Sequence, residues 1–130
     1  MDYKKPRMIA EIGCNHKGDI GIAKELVRIA SQSGVDAVKI QKRNKKQIIT
    51  PEQYNSPHPN PMHSYGDTYG AHREFLELDI KQHNELKEYA ESFGIIYSTS
   101  VWDETSANEV INLDPVFIKV PSACNNHFDM

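Results

Sequence analysis

Short apolar runs alternate with amphipathic stretches along the chain. Four runs rich in Ile, Val and Ala have the length and composition of buried β-strands. They lie at 8–13, 35–41, 95–99 and 116–120. In the three intervening stretches apolar residues recur every three or four positions, which predicts helices that bury one face. These helices lie at 20–33, 86–93 and 104–111, where Asp19 and Asp103 are candidate N-caps.

Strands separated by helices imply a parallel sheet, because parallel neighbours need a long crossover connection. One fitting architecture is a doubly wound sheet of the flavodoxin type, which suits a chain of 130 residues. The other is the first half of a TIM (β/α)8 barrel, whose full form needs about 250 residues. Strand order separates the two: successive barrel units are neighbours, 1-2-3-4, whereas the flavodoxin type has order 2-1-3-4.

The segment from Lys42 to His72 has neither strand nor helix periodicity and contains four prolines. Loops longer than about 12–15 residues in compact domains are usually functional or disordered. Its aromatic and charged side chains favour an ordered lid over a site, and a mobile surface excursion is the alternative. The residues that suggest a lid are Tyr54, Tyr65, Tyr69 and Arg73.

The composition and net charge of the chain limit the classes of protein to which it can belong. With 15 basic and 18 acidic residues the net charge is −3, which gives no electrostatic reason to expect a nucleic acid or membrane partner. The apolar run near the start is too short for a signal peptide, and two cysteines are too few for a disulfide framework. One domain in a reducing cytoplasm is the expectation. The six histidines lack metal-binding spacing, and Cys14 and Cys124 are predicted to be unreactive thiols.

Two lysines interrupt otherwise apolar strands. A buried Lys39 or Lys119 is costly unless its ammonium meets an anion. Glu11 and Thr99 stand at a similar depth in their strands, so the set suits a small substrate with several negative charges. The alternative is that each lysine pairs with Glu11 or Asp36, or points into solvent.

Several sequence motifs resemble the N-terminal half of the N-acetylneuraminate (sialic acid) synthase family. They are the stretches at 9–18, 38–41, 97–99, 118–122 and 125–126. The resemblance implies a TIM barrel that condenses phosphoenolpyruvate with an N-acetylated hexosamine such as N-acetylmannosamine and releases phosphate. Residues 1–130 would then form the N-terminal part of that barrel, without its later units or the C-terminal antifreeze-like domain. The resemblance further implies a homodimer at full length and a divalent metal, Mn²⁺ or Mg²⁺, whose ligands lie outside this chain.

The resemblance also assigns roles to residues. Phosphoenolpyruvate would be held by Lys39, Thr99, Lys119 and Ser122. The sugar would face Glu11 and Gln41. The catalytic residues would be Glu11, Lys39 and Lys119, with Asn15 and His16 as further substrate contacts. Cys124 departs from the family pattern, because many bacterial members have an acidic residue there.

Two other functions remain open. The chain could belong to a synthase for another nonulosonate, such as legionaminic or pseudaminic acid, or it could be a non-catalytic half barrel. The half barrel alone should be inactive as a synthase. If the chain is half of a barrel, four side chains should converge on the face of the sheet that lines the barrel interior. They are those of Glu11, Lys39, Thr99 and Lys119.

Overall fold

A parallel sheet forms the centre of the protein in a computed structural model that describes residues 4–130. Its strands are β1 (Ile9–Gly13), β2 (Ala37–Lys42) and β3 (Ile96–Val101). They pair in the order β1-β2-β3, and both pairs are parallel. This confirms the predicted α/β class with sequential strands, since a flavodoxin-type sheet would place β1 between β2 and β3.

Residues 4–130 contain six α-helices. They are α1 (Ile20–Gln32), α2 (Lys45–Ile48), α3 (Pro51–Asn55), α4 (Tyr69–Phe75), α5 (Ile80–Ser92) and α6 (Glu104–Ile111). The predicted helices are α1, α5 and α6. The side chains of Asp19, Asp79 and Asp103 cap them by accepting backbone N–H groups of the first turn. No helix in this part of the chain has the length and apolar content needed to cross a bilayer.

The lid segment (residues 42–72) is partly helical, which corrects the prediction that it has no regular structure. It contains α2, α3, the start of α4 and a 3₁₀ turn at Pro61–His63. Asn44, Thr50 and Thr68 cap the three helices with their side chains. Helices of four to seven residues are too short to show a hydrophobic period, so capping residues are the signal that could have found them.

The predicted fourth strand at 116–120 is wrong as a strand, because only one of its residues pairs with the sheet. Lys119 forms an isolated parallel bridge with Ser100. Its N–H donates to the Thr99 carbonyl at 3.1 Å, and its own carbonyl accepts from the N–H of Val101 at 3.1 Å. The segment still lies beside β3, as the order 1-2-3-4 predicts, but two hydrogen bonds do not make a ladder.

The hydrophobic core lies between the sheet and helices α1 and α5. Its fully buried members include Val27, Val38, Ile40 and Leu86. Because side chains alternate along a strand, burial of Val38 and Ile40 on the helix side turns the residues between them to the other face. That face, called here the inner face, carries Lys39 and Gln41.

Candidate active site

Glu11 and Lys39 face each other across β1 and β2. They are aligned in the register of the two strands, and their side chains form an ion pair. The Lys39 ammonium also donates to the hydroxyl of Ser100 at 2.8 Å. Lys39 is only 7% exposed, so its charge is met by a carboxylate and a hydroxyl, as a buried ammonium requires. Pairing with Glu11 is one of the alternatives that the sequence left open.

Gln41 extends this arrangement toward the carboxyl end of the sheet. Its amide N–H donates to Glu11 Oε1 at 2.7 Å, and its amide oxygen accepts from the indole N–H of Trp102 at 2.7 Å. The result is a continuous set of polar contacts, called here the inner-face network. Its members are Glu11, Lys39, Gln41, Ser100 and Trp102.

Thr99 does not belong to that network, which corrects the predicted convergence for this residue. It is aligned with Ile40 and therefore lies on the helix side of the sheet. Its hydroxyl is fully buried and donates to the Ile40 carbonyl at 3.1 Å. Ser98 and Ser100, one position to either side, occupy the inner face instead. A role for Thr99 in substrate binding stays a prediction.

Lys119 does share the inner face. The parallel bridge aligns it with Ser100, the residue that Lys39 contacts. Unlike Lys39, it is exposed, and within residues 4–130 its ammonium makes no salt bridge. The backbone register thus puts Glu11, Lys39 and Lys119 on one face of the sheet, and the convergence of their side chains stays a prediction. Ser122 follows closely, exposed at the start of a 3₁₀ turn at Ser122–Cys124.

The turn after β1 places Asn15 and His16 differently. Asn15 is exposed, whereas His16 is buried and its Nδ1 accepts the Gly18 N–H at 3.1 Å. Burial, reinforced by the positive charge of Arg43, lowers the pKa of His16 below its ordinary value. The imidazole is therefore neutral at pH 7 and holds the turn. Contact of either residue with substrate stays a prediction.

A cleft of about 590 Å³ opens beside the network at the carboxyl ends of β2 and β3. Its wall includes Arg43 after β2, Trp102 after β3, and Cys124 from the last turn. Of the predicted lid residues, Tyr69 and Arg73 line this cleft. The other two contact the last residues of α4: Tyr54 donates to Glu74 at 2.8 Å, and Tyr65 stacks on Phe75.

Arg43 is a buried part of the cleft wall, and side-chain contacts hold it in place. Its Nε donates to Glu77 Oε1 at 2.6 Å, and its Nη2 donates to the sulfur of Cys14 at 2.7 Å. Burial raises the pKa of the Cys14 thiol, and the Arg43 charge opposes that rise only in part. Burial likewise raises the pKa of Glu77 against the pull of Arg43. Cys14 is thus a protonated, half-buried thiol, which fits the expectation that it is unreactive.

Sequence reasoning missed Arg43, Ser100 and Trp102. Arg43 and Trp102 each follow the last residue of a strand, and polar residues at that position were the signal that could have found them. Ser100 gives no separate signal in the sequence, because the register that places it on the inner face, within reach of Lys39, is a property of the folded sheet.

One group of three metal-ligand side chains occurs in the described residues. Donor atoms of Glu104, His127 and Asp129 lie within 4.8 Å of one another, and His127 Nε2 is 3.3 Å from Glu104 Oε1. Carboxylate and imidazole donors suit a divalent cation such as Mn²⁺. All three residues are exposed, and exposed groups of this kind commonly occur without a metal, so we assign no ligand here.

The sequence is similar to proteins named as synthases of sialic or legionaminic acids. It is 38% identical over 121 residues to N-acetylneuraminate-9-phosphate synthase of Homo sapiens, aligning 93% of this chain with 33% of that one. It is 34% identical over 119 residues to N,N'-diacetyllegionaminic acid synthase of Campylobacter jejuni, aligning 92% of this chain with 36% of that one. The chain therefore spans about a third of the length of these relatives.

The fold is also similar to that of a solved structure. A sialic acid synthetase from Leptospira borgpetersenii superposes with a TM-score of 0.74 over 95% of this chain and 39% of that one, at 20% identity. Likeness at this identity shows that the two share the parallel α/β architecture. The sequence of residues 26–130 matches the model of the NeuB family. The chain accordingly belongs to the NeuB family.

Proposed function

We propose that this chain is part of a synthase that condenses phosphoenolpyruvate with an N-acetylated amino sugar of the N-acetylmannosamine type. The product is a sialic acid-like nonulosonate, and phosphate is released. The observation that carries the proposal is the placement of Lys39 and Lys119 on one face of the sheet, on either side of Ser100. We further propose that the complete protein acts in the cytoplasm as a homodimer.

The two lysines suit the charges of phosphoenolpyruvate. An ammonium has three N–H donors, and Lys39 uses two of them on Glu11 and Ser100, which leaves one for an anion. Lys119 is exposed on the same face and can meet a second anionic group. Charge-assisted hydrogen bonds of this kind are roughly twice as strong as neutral ones. One lysine can therefore hold the phosphate while the other holds the carboxylate.

Glu11 and Gln41 are suited to the sugar. The Glu11 side chain is 47% exposed and retains acceptor positions beyond those used by Lys39 and Gln41. Gln41 is held at both ends of its amide by Glu11 and Trp102, so its orientation is set before substrate arrives. Such preorganised groups lose little entropy on binding. They can accept and donate hydrogen bonds to the hydroxyls of the acceptor.

In the proposed reaction, C3 of the enol attacks C1 of the open-chain sugar and forms the new carbon–carbon bond. Water then adds at C2, and phosphate leaves from the same carbon. The lysine that meets the phosphate holds it in place and stabilises the negative charge that it takes away. A divalent metal, whose ligands we place outside this chain, would polarise the aldehyde of the acceptor when bound.

The identity of the acceptor sugar is a separate question. The Homo sapiens relative is named for a phosphorylated product and the Campylobacter jejuni relative for a diacetylated legionaminic acid. The similarity to the second, at 34% identity, supports an alternative in which the acceptor is the precursor of another nonulosonate. Both alternatives share the phosphoenolpyruvate site.

The proposal is tested with the full product of the reading frame that encodes these residues. Phosphate release is measured with phosphoenolpyruvate, Mn²⁺ and a panel of N-acetylated sugars. We expect release that depends on both substrates. At phosphoenolpyruvate concentrations below saturation it should fall about 10- to 100-fold in Lys119→Ala and be kept in Lys81→Ala, an exposed lysine on α5. No release with any sugar, or robust turnover by residues 1–130 alone, would contradict the proposal.

A further inference from the structure

Trp102 lies where β3 ends and α6 begins. It follows Val101, the last residue of β3, and precedes Asp103, the N-cap of α6. The Val101 N–H donates to the Lys119 carbonyl at 3.1 Å, and the Asp103 carboxylate accepts the Ser106 N–H at 2.8 Å. The backbone on both sides of Trp102 is therefore held, and the indole keeps a defined position at the end of the inner-face network.

The indole selects one of the two orientations of the Gln41 side-chain amide. Half a rotation of a glutamine amide exchanges its oxygen and its nitrogen. An indole N–H can only donate, and a carboxylate can only accept. Trp102 donates to the amide oxygen at 2.7 Å, and Glu11 accepts from the amide nitrogen at 2.7 Å. The reversed amide would oppose two donors at one end and two acceptors at the other, so these two partners exclude it.

This orientation decides what Gln41 offers to a ligand. The amide nitrogen carries two N–H groups, and Glu11 accepts one of them. In the part of the chain that the structure describes, the second N–H has no partner and is left for a ligand. Without the indole, the amide oxygen would lose its protein partner, and the amide could rotate. The second N–H would then have no fixed direction.

The contacts of Trp102 are separate from those of the two lysines. Trp102 is the member of the inner-face network that lines the cleft. Lys39 is held by Glu11 and Ser100, and Lys119 is aligned with Ser100 through the backbone. Neither lysine depends on the indole N–H for its position. Loss of that N–H should therefore leave the proposed phosphoenolpyruvate contacts in place.

We propose that Trp102 is a positioning residue for the acceptor sugar. Its indole N–H holds the Gln41 amide so that the second amide N–H can donate to an oxygen of the sugar. The inference rests on the proposed function, because that function assigns Gln41 to the sugar. Trp102 acts through Gln41 and needs no contact of its own with substrate. A donor that is already oriented loses little entropy on binding, so the indole strengthens acceptor binding.

Steady-state kinetics of the full product of the reading frame test this. Trp102→Phe keeps an aromatic ring and removes only the N–H donor. The acceptor is the N-acetylated sugar of the panel that gives the fastest phosphate release, assayed with phosphoenolpyruvate and Mn²⁺. We expect KM for the sugar to rise roughly 2- to 10-fold, as for one neutral hydrogen bond, and KM for phosphoenolpyruvate to stay unchanged.

Tyr97→Phe is the matched control. It removes a hydroxyl that contacts His83 Nδ1 at 2.6 Å. Tyr97 is aligned with Val38 and is buried on the helix side of the sheet, so the control loses a side-chain hydrogen bond of the same sheet away from the site. Both KM values should be unchanged in Tyr97→Phe.

A double-variant cycle shows whether Trp102 acts through Gln41. Gln41→Met removes the amide and keeps an unbranched side chain. Adding Trp102→Phe to Gln41→Met should cause no further rise in KM for the sugar, because the amide that the indole orients is gone. A direct contact between the indole and the sugar, or a general loss of structure, would raise KM in both backgrounds.

The indole N–H signal in a ¹H–¹⁵N correlation spectrum tests the contact without substrate. The signal is identified by its absence in Trp102→Phe. It should shift in Gln41→Met and keep its position in Tyr97→Phe. An unshifted signal in Gln41→Met would mean that the indole does not donate to Gln41, which overturns the inference and leaves the proposed function intact.

The kinetic outcomes separate the inference from the proposed function. An unchanged KM for the sugar in Trp102→Phe overturns the inference alone. An equal rise in both KM values, or a full effect of Trp102→Phe in the Gln41→Met background, does the same. If no sugar supports phosphate release from phosphoenolpyruvate, the proposed function fails and the inference fails with it.

Discussion

Glu11 and Lys39 occupy aligned positions on β1 and β2 and form an ion pair on the inner face of the sheet. The pair is asymmetric, since the Lys39 side chain is 9% exposed and that of Glu11 is 47% exposed. Lys39 needs an anion beside it because it is buried, whereas Glu11 reaches solvent and can still bind a ligand. The Glu11–Lys39 contact therefore stabilises the sheet and also keeps the Glu11 carboxylate at the solvent-exposed edge of the site.

Replacing Lys39 should weaken substrate binding. Lys39→Ala and Lys119→Ala each remove a charge-assisted contact worth roughly 1.5–3 kcal/mol, which is about 10- to 100-fold in affinity for phosphoenolpyruvate. The Arg replacements should restore only part of the loss, because a planar fork does not reproduce a compact ammonium. Titration with phosphoenolpyruvate measures the effect, and Lys81→Ala serves as the control. Unchanged affinity in both alanine variants would exclude the two lysines from the site.

Removing one partner of the Arg43–Glu77 ion pair should destabilise the fold more than removing both partners. Glu77→Ala leaves a guanidinium that is 8% exposed without its carboxylate, and breaking a buried pair costs about 3–5 kcal/mol of stability. The double variant Arg43→Met/Glu77→Leu should recover most of that loss, because no buried charge remains. Urea unfolding gives the free energies. The exposed pair Arg28–Glu25 provides the comparison, and Arg28→Ala should change little. A double variant no more stable than Glu77→Ala would contradict this account.

Gly18, in the turn after β1, packs closely against the end of α4. Its φ is +72°, and a Cβ at this position would lie 1.9 Å from the carbonyl oxygen of Phe75. Gly34 has a similar φ of +74° but nothing within 4 Å of the corresponding Cβ. Gly34→Ala should therefore cost about 1–2 kcal/mol from backbone strain alone, and Gly18→Ala should cost clearly more, because α4 must also move. Thermal unfolding compares the two variants, and equal losses would show that the contact with Phe75 is unimportant.

His83 should make stability depend on pH. Burial beside Tyr97, reinforced by the charge of Lys42, lowers its pKa from 6.5 to about 3. The unfolded chain therefore binds a proton between these values and the folded chain does not, so the contribution is complete above pH 6.5 and is lost as pH falls toward 3. The loss is at most about 1.4 kcal/mol per pH unit.

Urea unfolding of His83→Leu over this pH range isolates the effect. The variant should lose less stability per pH unit than the unmodified chain, whatever its stability at neutral pH. His63→Ala, a change at an exposed lid residue, should retain the original slope. Identical slopes for His83→Leu and the unmodified chain would mean that His83 titrates normally in the fold.

Local sequence was sufficient for the long elements. Apolar runs formed β1, β2 and β3, and capped amphipathic stretches formed α1, α5 and α6. In each of these elements the pattern of apolar and polar residues extends beyond a single helical turn or a single pair of residues. Such patterns are readable because burial of one face repeats along the chain. The lid helices α2, α3 and α4 escaped because they depend on single capping residues such as Thr50 and Thr68 rather than on a repeat.

Motifs in the sequence were enough to bring Glu11, Lys39, Gln41 and Lys119 forward as a set, because strand-end polar residues meet at one edge of a parallel sheet. Only the tertiary structure decided which serine or threonine of β3 joins them. Ser100 contacts Lys39 and Thr99 turns to Ile40, since a shift of one residue in register exchanges the two faces of a strand.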